Sequence, residues 1–175
     1  MVLETQRLLM RKFEETDFER LFLLDSNPEV MKYIGVAPLS EPHESKKVIK
    51  MIQQQYVDNG IGRLAVIEKE TGLLIGWSGL KLLTEEINGY KGVYDLGYRF
   101  LPEKWGKGYA YEAAKASLDY GFHTLKTDTI YAHAHSENTG SNHILKKLGF
   151  ENTSEFTEPD GVCLWYEIKS ENYSL

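Results

Sequence analysis

Residues 93–122 limit the fold of this chain more than any other stretch. Val93-Tyr-Asp-Leu-Gly-Tyr-Arg-Phe100 reads as a strand and runs through Leu101-Pro102 into the glycine-bearing Lys104-Trp-Gly-Lys-Gly-Tyr-Ala110. A helix follows to about Phe122, with Ala110, Ala113, Ala114, Ser117, Leu118 and Gly121 giving a small-residue packing face at helical spacing. A strand that feeds a close-packing helix in this way belongs to an α/β chain.

The flanking patterns supply the rest of the order. Arg7-Leu-Leu-Met-Arg-Lys-Phe13 reads as a first strand. Thr16-Asp-Phe-Glu19 has the form of a capping box and opens a helix with Phe18, Leu21, Phe22 and Leu24 inward. Asn27-Pro28 starts a second, short helix that Gly35 ends. Val48, Met51, Ile52, Gln55 and Tyr56 share a face over residues 44–58, and Asn59-Gly60 stops that helix. Residues 63–68 and 73–83 form a hairpin around Lys69-Glu-Thr-Gly72. Residues 129–134 are a strand, 139–148 a helix stopped by Gly149, and 150–156 with 162–168 a closing hairpin around Pro159-Asp-Gly161. The order β-α-α-α-β-β-β-α-β-α-β-β is a mixed α/β arrangement. No repeat or linker divides it, so residues 1–175 are expected to form a single domain.

Composition excludes several function classes. Twenty Lys and Arg against 26 Asp and Glu leave a net charge of −6. That balance is unhelpful on a phosphate backbone and mildly favourable toward cationic substrates, so no nucleic-acid partner is expected. The apolar runs are too short for a transmembrane span, and the N-terminus lacks the apolar core of a signal peptide. A cytoplasmic protein without a membrane partner is expected. The single cysteine, Cys163, excludes an internal disulfide and a multi-cysteine metal site, and reads as a small apolar packing group.

The glycine loop carries the first chemical signal. Gly106 and Gly108 let a ligand approach the backbone, and the first amides of the following helix lack intrahelical acceptors. Such a loop suits a pyrophosphate, although taken alone it is equally a tight turn. A Rossmann fingerprint fails because Tyr111 stands where the third glycine belongs, and no Walker loop is present.

Three motifs in order take the reading further. The stretch from Asp95 to Ala113 resembles the acetyl-CoA-binding motif of the GNAT N-acetyltransferase superfamily, and looks most like the branch containing ribosomal-protein N-terminal alanine acetyltransferases. Ser136-Glu-Asn-Thr-Gly-Ser-Asn-His-Ile-Leu-Lys-Lys-Leu-Gly-Phe150 is similar to that family's N-x-x-S…K-x-G-F block. Glu4-Thr-x-Arg-Leu-x-x-Arg11 and Asn27-Pro-Glu-Val30 also look like this branch. The resemblance runs over residues 3–168. It implies a twisted, mostly antiparallel mixed sheet, splayed between its fourth and fifth strands and flanked by four to five helices. It implies acetyl-CoA as co-substrate, with pantetheine in the gap and no metal.

On that template the amides of Trp105, Gly106, Lys107, Gly108, Tyr109 and Ala110 cradle the pyrophosphate, and backbone at Phe100 and Leu101 pairs with pantetheine. Asn138 and Ser141 hydrogen-bond the coenzyme from the far side of the gap, though Asn138 is also a plausible helix cap and Ser141 a helix-surface hydroxyl. Trp105 departs from the family, which usually has Arg or Gln there.

The implied reaction is direct attack of a neutral amine on the thioester in a ternary complex. An alkyl amine with a pKa of about 10 must first lose a proton, so a base is needed. Many members place a general-acid Tyr four residues before the final Gly-Phe pair; here that residue is Leu145. Candidate bases are Asp95, in the fourth strand, and His133 and His135, which share one face of the fifth. His133 falls five residues before Asn138, where some N-terminal acetyltransferases of the superfamily place a catalytic Glu. Both histidines also read as ordinary strand residues bonded to neighbours, and His133, His135 and His143 lack the spacing of a metal site. Trp77, Tyr98, Trp165 and Tyr166 are candidates for an acceptor pocket or simply core, with residues 33–40 at its entrance.

The expected acceptor is a protein or peptide α-amine. The alternatives are a small-molecule amine (antibiotic, polyamine or amino-acid-like) or a non-catalytic acyl-CoA-binding module. A peptide predicts a shallow open groove, a small amine an enclosed acidic pocket. By analogy the chain is a monomer or homodimer.

Overall fold

Eight strands form one sheet in the order β1-β2-β3-β4-β5-β6-β8-β7 in the computed structural model, which describes residues 1–174. The strands are β1 (Val2–Glu4), β2 (Leu8–Arg11), β3 (Leu64–Glu68), β4 (Leu74–Leu82), β5 (Tyr94–Phe100), β6 (Thr129–His135), β7 (Glu151–Glu158) and β8 (Gly161–Lys169). The helices are α1 (Phe18–Asp25), α2 (Pro28–Met31), α3 (Pro42–Asn59), α4 (Tyr109–Asp119) and α5 (Thr139–Lys147). Every strand pairing is antiparallel except β5 with β6.

That exception positions the site. β5 and β6 are parallel and in register at one pair only, Asp95 opposite Tyr131, so the sheet splays there. This is the gap expected between the fourth and fifth strands, counted one higher because β1 comes first. β1 escapes the sequence reading because it is three residues long and its only clear signal is its pairing, Val2 opposite Arg11.

Two apolar clusters fill the layers. One joins α1 and α3 to β2, β3 and β4 through Leu21, Ile49, Ile52, Met10, Val66 and Ile75. The other joins α4 and α5 to β5, β6 and β8 through Leu118, Leu145, Leu96, Ile130 and Tyr166. Alternation along β5 and β6 therefore turns Leu96, Ala132 and Ala134 toward the helices and leaves Asp95 and His133 on the opposite face.

Two local expectations change. The turn before α1 is capped by Glu14 and Asp17, not Thr16, because Arg11 holds both oxygens of Asp17 at 2.8 and 2.9 Å. α3 is rotated slightly from its expected face: Ser45, Ile49, Ile52 and Tyr56 are buried while Met51 is exposed.

Candidate active site

The loop between β5 and α4 presents a row of unused donors. Gly106 and Gly108 sit at φ +70° and +82°, a left-handed backbone that favours glycine. The amides of residues 106–111 donate to no acceptor among the described residues, and the next amide, that of Glu112, bonds the Gly108 carbonyl. Four strands away in sequence, Arg7 braces this loop. Its guanidinium donates to the Lys107 carbonyl at 2.8 Å and to Glu112 of α4 at 2.6 Å. Six free amides at the positive end of an 11-residue helix fit a pyrophosphate.

Trp105 is a correction to the expected cradle. Its amide donates to the Pro102 carbonyl at 3.1 Å, and its indole donates to the Phe100 carbonyl at 2.8 Å. Both donors are thus committed within the turn. Leu101 is a second correction, because its amide donates to Ile75 of β4 at 3.0 Å and faces away from the gap. Alternation along β5 then turns the backbone groups of Tyr98 and the amide of Phe100 toward the gap instead, the Phe100 carbonyl being taken by the Trp105 indole.

Across the gap, Asn138 caps α5 by accepting from the Ser141 amide at 3.2 Å, and its own amide nitrogen has no partner among the described residues. Ser141 is held by Tyr98, whose hydroxyl donates to the Ser141 carbonyl at 3.1 Å and lies 3.2 Å from its Oγ. This bond ties β5 to α5 across the splay. The sequence offered Tyr98 as pocket lining but gave no sign of that partner.

A cavity of about 460 Å³ opens where the strands part. Its walls include Asp95, Gly97 and Arg99 of β5, His133 and His135 of β6, Trp77 and Lys81 of β4, and Arg63. Tyr33–Val36, after α2, and Glu158–Asp160, at the β7–β8 turn, also border it. Trp165 and Tyr166 are fully buried behind this wall and do not line it.

The charged centre of the cavity is Asp95. Arg63 reaches it across Gly97, where a Cβ would stand 2.6 Å from the guanidinium, and bonds Asp95 Oδ2 at 2.5 Å. The same guanidinium donates to the carbonyls of Gly79 and Asp95. His133 Nδ1 stands 3.3 Å from Asp95 Oδ1 in a close approach that is not an aligned hydrogen bond; neither atom has another partner among the described residues. Burial pushes the Asp95 carboxyl up, but the Arg63 charge and the His133 contact more than offset it and hold it at about 2. Asp95 is therefore an anion through the neutral range. The His133 ring stacks on Trp165 at an interplanar angle of 14° and keeps 31% of its side chain exposed.

Comparison with known proteins agrees with this geometry. The profile of the acetyltransferase (GNAT) domain matches residues 7–151. The chain belongs to the GNAT acetyltransferase family. An N-acetyltransferase named p20, from Bacillus licheniformis, is 35% identical over 85% of this chain and 82% of its own. A spermidine N(1)-acetyltransferase from Escherichia coli K12 is 31% identical over 81% of this chain and 71% of its own. A GNAT-family acetyltransferase from Bacillus anthracis superposes with a TM-score of 0.83, at 28% identity, over 98% of this chain and 99% of that one.

Measured against a GNAT site, the remaining sequence candidates separate. His135 is tied at both ring nitrogens: Nδ1 accepts from the Glu137 amide and Nε2 lies 3.1 Å from the Asp160 carbonyl. Gly161 makes room for it, since a Cβ there would stand 2.5 Å from Nε2. His135 fastens the β7–β8 turn to β6 and has no nitrogen left for an acceptor. Leu145 is buried in the cavity wall, where it can neither donate nor accept a proton. Cys163 also borders the cavity, and burial pushes its thiol up, which keeps it protonated. Among the described residues, no three His, Cys, Asp or Glu side chains gather as a metal site, and no helix is long and apolar enough to cross a membrane.

The sequence reading missed Arg63, Arg99 and Lys81. Each stands in or beside a strand with nothing in its spacing to mark it, and only the sheet order brings them to one wall.

Proposed function

We propose that this GNAT acetyltransferase acetylates a small-molecule amine, with His133 as general base and Asp95 as the residue that positions it. The observation that carries this reading is the close approach of His133 to a carboxylate held ionised beside the cavity. An anion at Nδ1 favours the tautomer with the proton on that nitrogen and leaves Nε2 as the acceptor toward the cavity. Asp95 itself is too acidic, and too fully engaged by Arg63, to take the proton.

When bound, acetyl-CoA supplies the acetyl group as a thioester open to attack by an amine. The amides of residues 106–111 would hold its pyrophosphate, and the free side-chain amide of Asn138 and the gap-facing backbone of β5 would hold the pantetheine. His133 takes the proton from the incoming ammonium, and the backbone amides of β5 that face the gap are the donors for charge developing on the acyl oxygen. Leu145 gives no general acid at the family's usual position, and a thiolate with a pKa of about 8.5 can leave without one.

A walled cavity bordered by Tyr33–Val36 and the β7–β8 turn supports a small acceptor better than the expected protein α-amine. The spermidine acetyltransferases among its relatives, which act on a small amine, support the same choice. The test is thiol release from acetyl-CoA across polyamines, amino acids, aminoglycosides and peptides, with the wild type and His133→Gln. Turnover of small amines that His133→Gln abolishes is the expected result; turnover confined to peptides overturns it.

A further inference from the structure

We propose that the acceptor carries a carboxylate in addition to its amine, and that Lys81 binds that carboxylate. This rests on the reading above and narrows it to a class of substrate. A small cationic amine predicts an acidic pocket, and the cavity is instead mixed: three basic side chains, Arg63, Lys81 and Arg99, border it beside three acids, Asp95, Glu158 and Asp160.

Their partners differ. Arg63 is paired with Asp95 at 2.5 Å and Arg99 with Asp25 at 2.6 Å. Lys81 makes neither an ion pair nor a hydrogen bond among the described residues. Its nearest anion across the strands is Asp95, its register partner on β5, whose two oxygens already face Arg63 and His133. Burial, and then the neighbouring Arg63 charge, lower the Lys81 pKa, and the attraction of Asp95 offsets them only in part. An anionic group on a ligand would offset the remainder. Arg99 adds a second unused donor to the same wall, a buried Nε with no partner among the described residues.

The arrangement also orients the ligand. Lys81 on β4 pairs with Asp95 on β5, and His133 on β6 lies two residues beyond the partner of Asp95, so cation and base stand about 12 Å apart at the backbone, with both residues on the cavity wall. The unpaired acids, Glu158 and Asp160, lie at the other end, where Asp160 approaches Gly35 and holds His135. Negative charge at that end and positive charge at Lys81 suit a bipolar acceptor whose amine stops at His133 and whose carboxylate reaches Lys81. A polyamine would bring a second cation against Lys81.

The experiment compares matched acceptors: α-amino acids, β-alanine and γ-aminobutyrate, their carboxamides, and putrescine and spermidine. Carboxylate acceptors are expected to exceed their carboxamides in kcat/KM by about tenfold or more, the worth of a charge-assisted hydrogen bond. Lys81→Gln should remove that preference by raising KM for the carboxylates, and Lys81→Arg should restore most of it. Calorimetric titration of the best carboxylate acceptor into each variant gives a readout independent of turnover. Polyamines preferred over every carboxylate, or a preference that survives Lys81→Gln, overturns the proposal while leaving the His133 assignment intact. No turnover of any panel amine by an enzyme that binds acetyl-CoA overturns both.

Discussion

His133 Nδ1 stands 3.3 Å from Asp95 Oδ1, while Arg63 Nη2 bonds the second oxygen of the same carboxylate at 2.5 Å. One buried anion thus joins a guanidinium just before β3, its own strand β5, and an imidazole on β6. The carboxylate is held ionised by the first partner and in turn sets the proton position on the second. Because β5 and β6 pair only at Asp95 and Tyr131, the histidine two residues beyond that pair faces the widening gap.

Replacing His133 by Gln keeps a polar side chain of similar size and removes the base. We expect kcat to fall by about 10²–10⁴, the usual contribution of a general base, with acetyl-CoA affinity unchanged. Steady-state kinetics across pH, with coenzyme titration by calorimetry, checks both.

Asp95→Asn tests the partner. Folded Asp95 titrates at about 2, below the value near 4 of an unfolded chain, so its contribution is complete above pH ~4 and lost as pH falls toward 2. The expected size is on the order of 2 kcal/mol. Glu68, held at about 2 chiefly by Lys104 and then by Tyr109, shares that window, so the variant should lose part of the wild type's acid limb and keep the rest. At neutral pH the variant leaves Arg63 buried without its counter-ion and should be less stable by about 3–5 kcal/mol. Thermal unfolding from pH 2 to 7 measures both effects.

The contrast between these residues and the glycine loop explains what the sequence disclosed. The loop is legible because its constraint is local: a left-handed backbone at Gly106 and Gly108 and free amides at the head of α4 need only consecutive residues. The strand order, the splay and the faces of His133 and Asp95 follow from periodicity and from likeness to the family. Arg63, Lys81 and Arg99 are invisible because a cation's meaning depends on which strands are neighbours. His135 misleads for the same reason, since the backbone groups that occupy its ring come from Glu137 and from the Asp160 turn. Trp105 and Leu101 misled at finer scale, where hydrogen bonds within the turn, for Trp105, and across to β4, for Leu101, consumed donors that the motif had offered.

Gly108→Glu tests the cradle. Its φ of +82° penalises any side chain by about 1–2 kcal/mol, and a Cβ would stand 3.3 Å from Arg7 Nη2. A carboxylate at this point would also oppose the pyrophosphate. Calorimetry should find acetyl-CoA binding weakened at least a hundredfold; unchanged affinity would place the pyrophosphate elsewhere.

Tyr98→Phe separates a clamp from an acid. With Leu145 at the family's acid position, Tyr98 is a phenol in the cavity wall on the helix side, and burial pushes its hydroxyl well above the ordinary tyrosine value. A group held that firmly neutral and bonded to Ser141 serves as a donor that joins β5 to α5. Losing the bond should cost about 1 kcal/mol of stability and loosen the turn that carries Asn138. Acetyl-CoA affinity should then fall severalfold while kcat changes by less than about tenfold. A loss of 10² or more in kcat with affinity intact would instead make Tyr98 the proton donor to the departing thiolate.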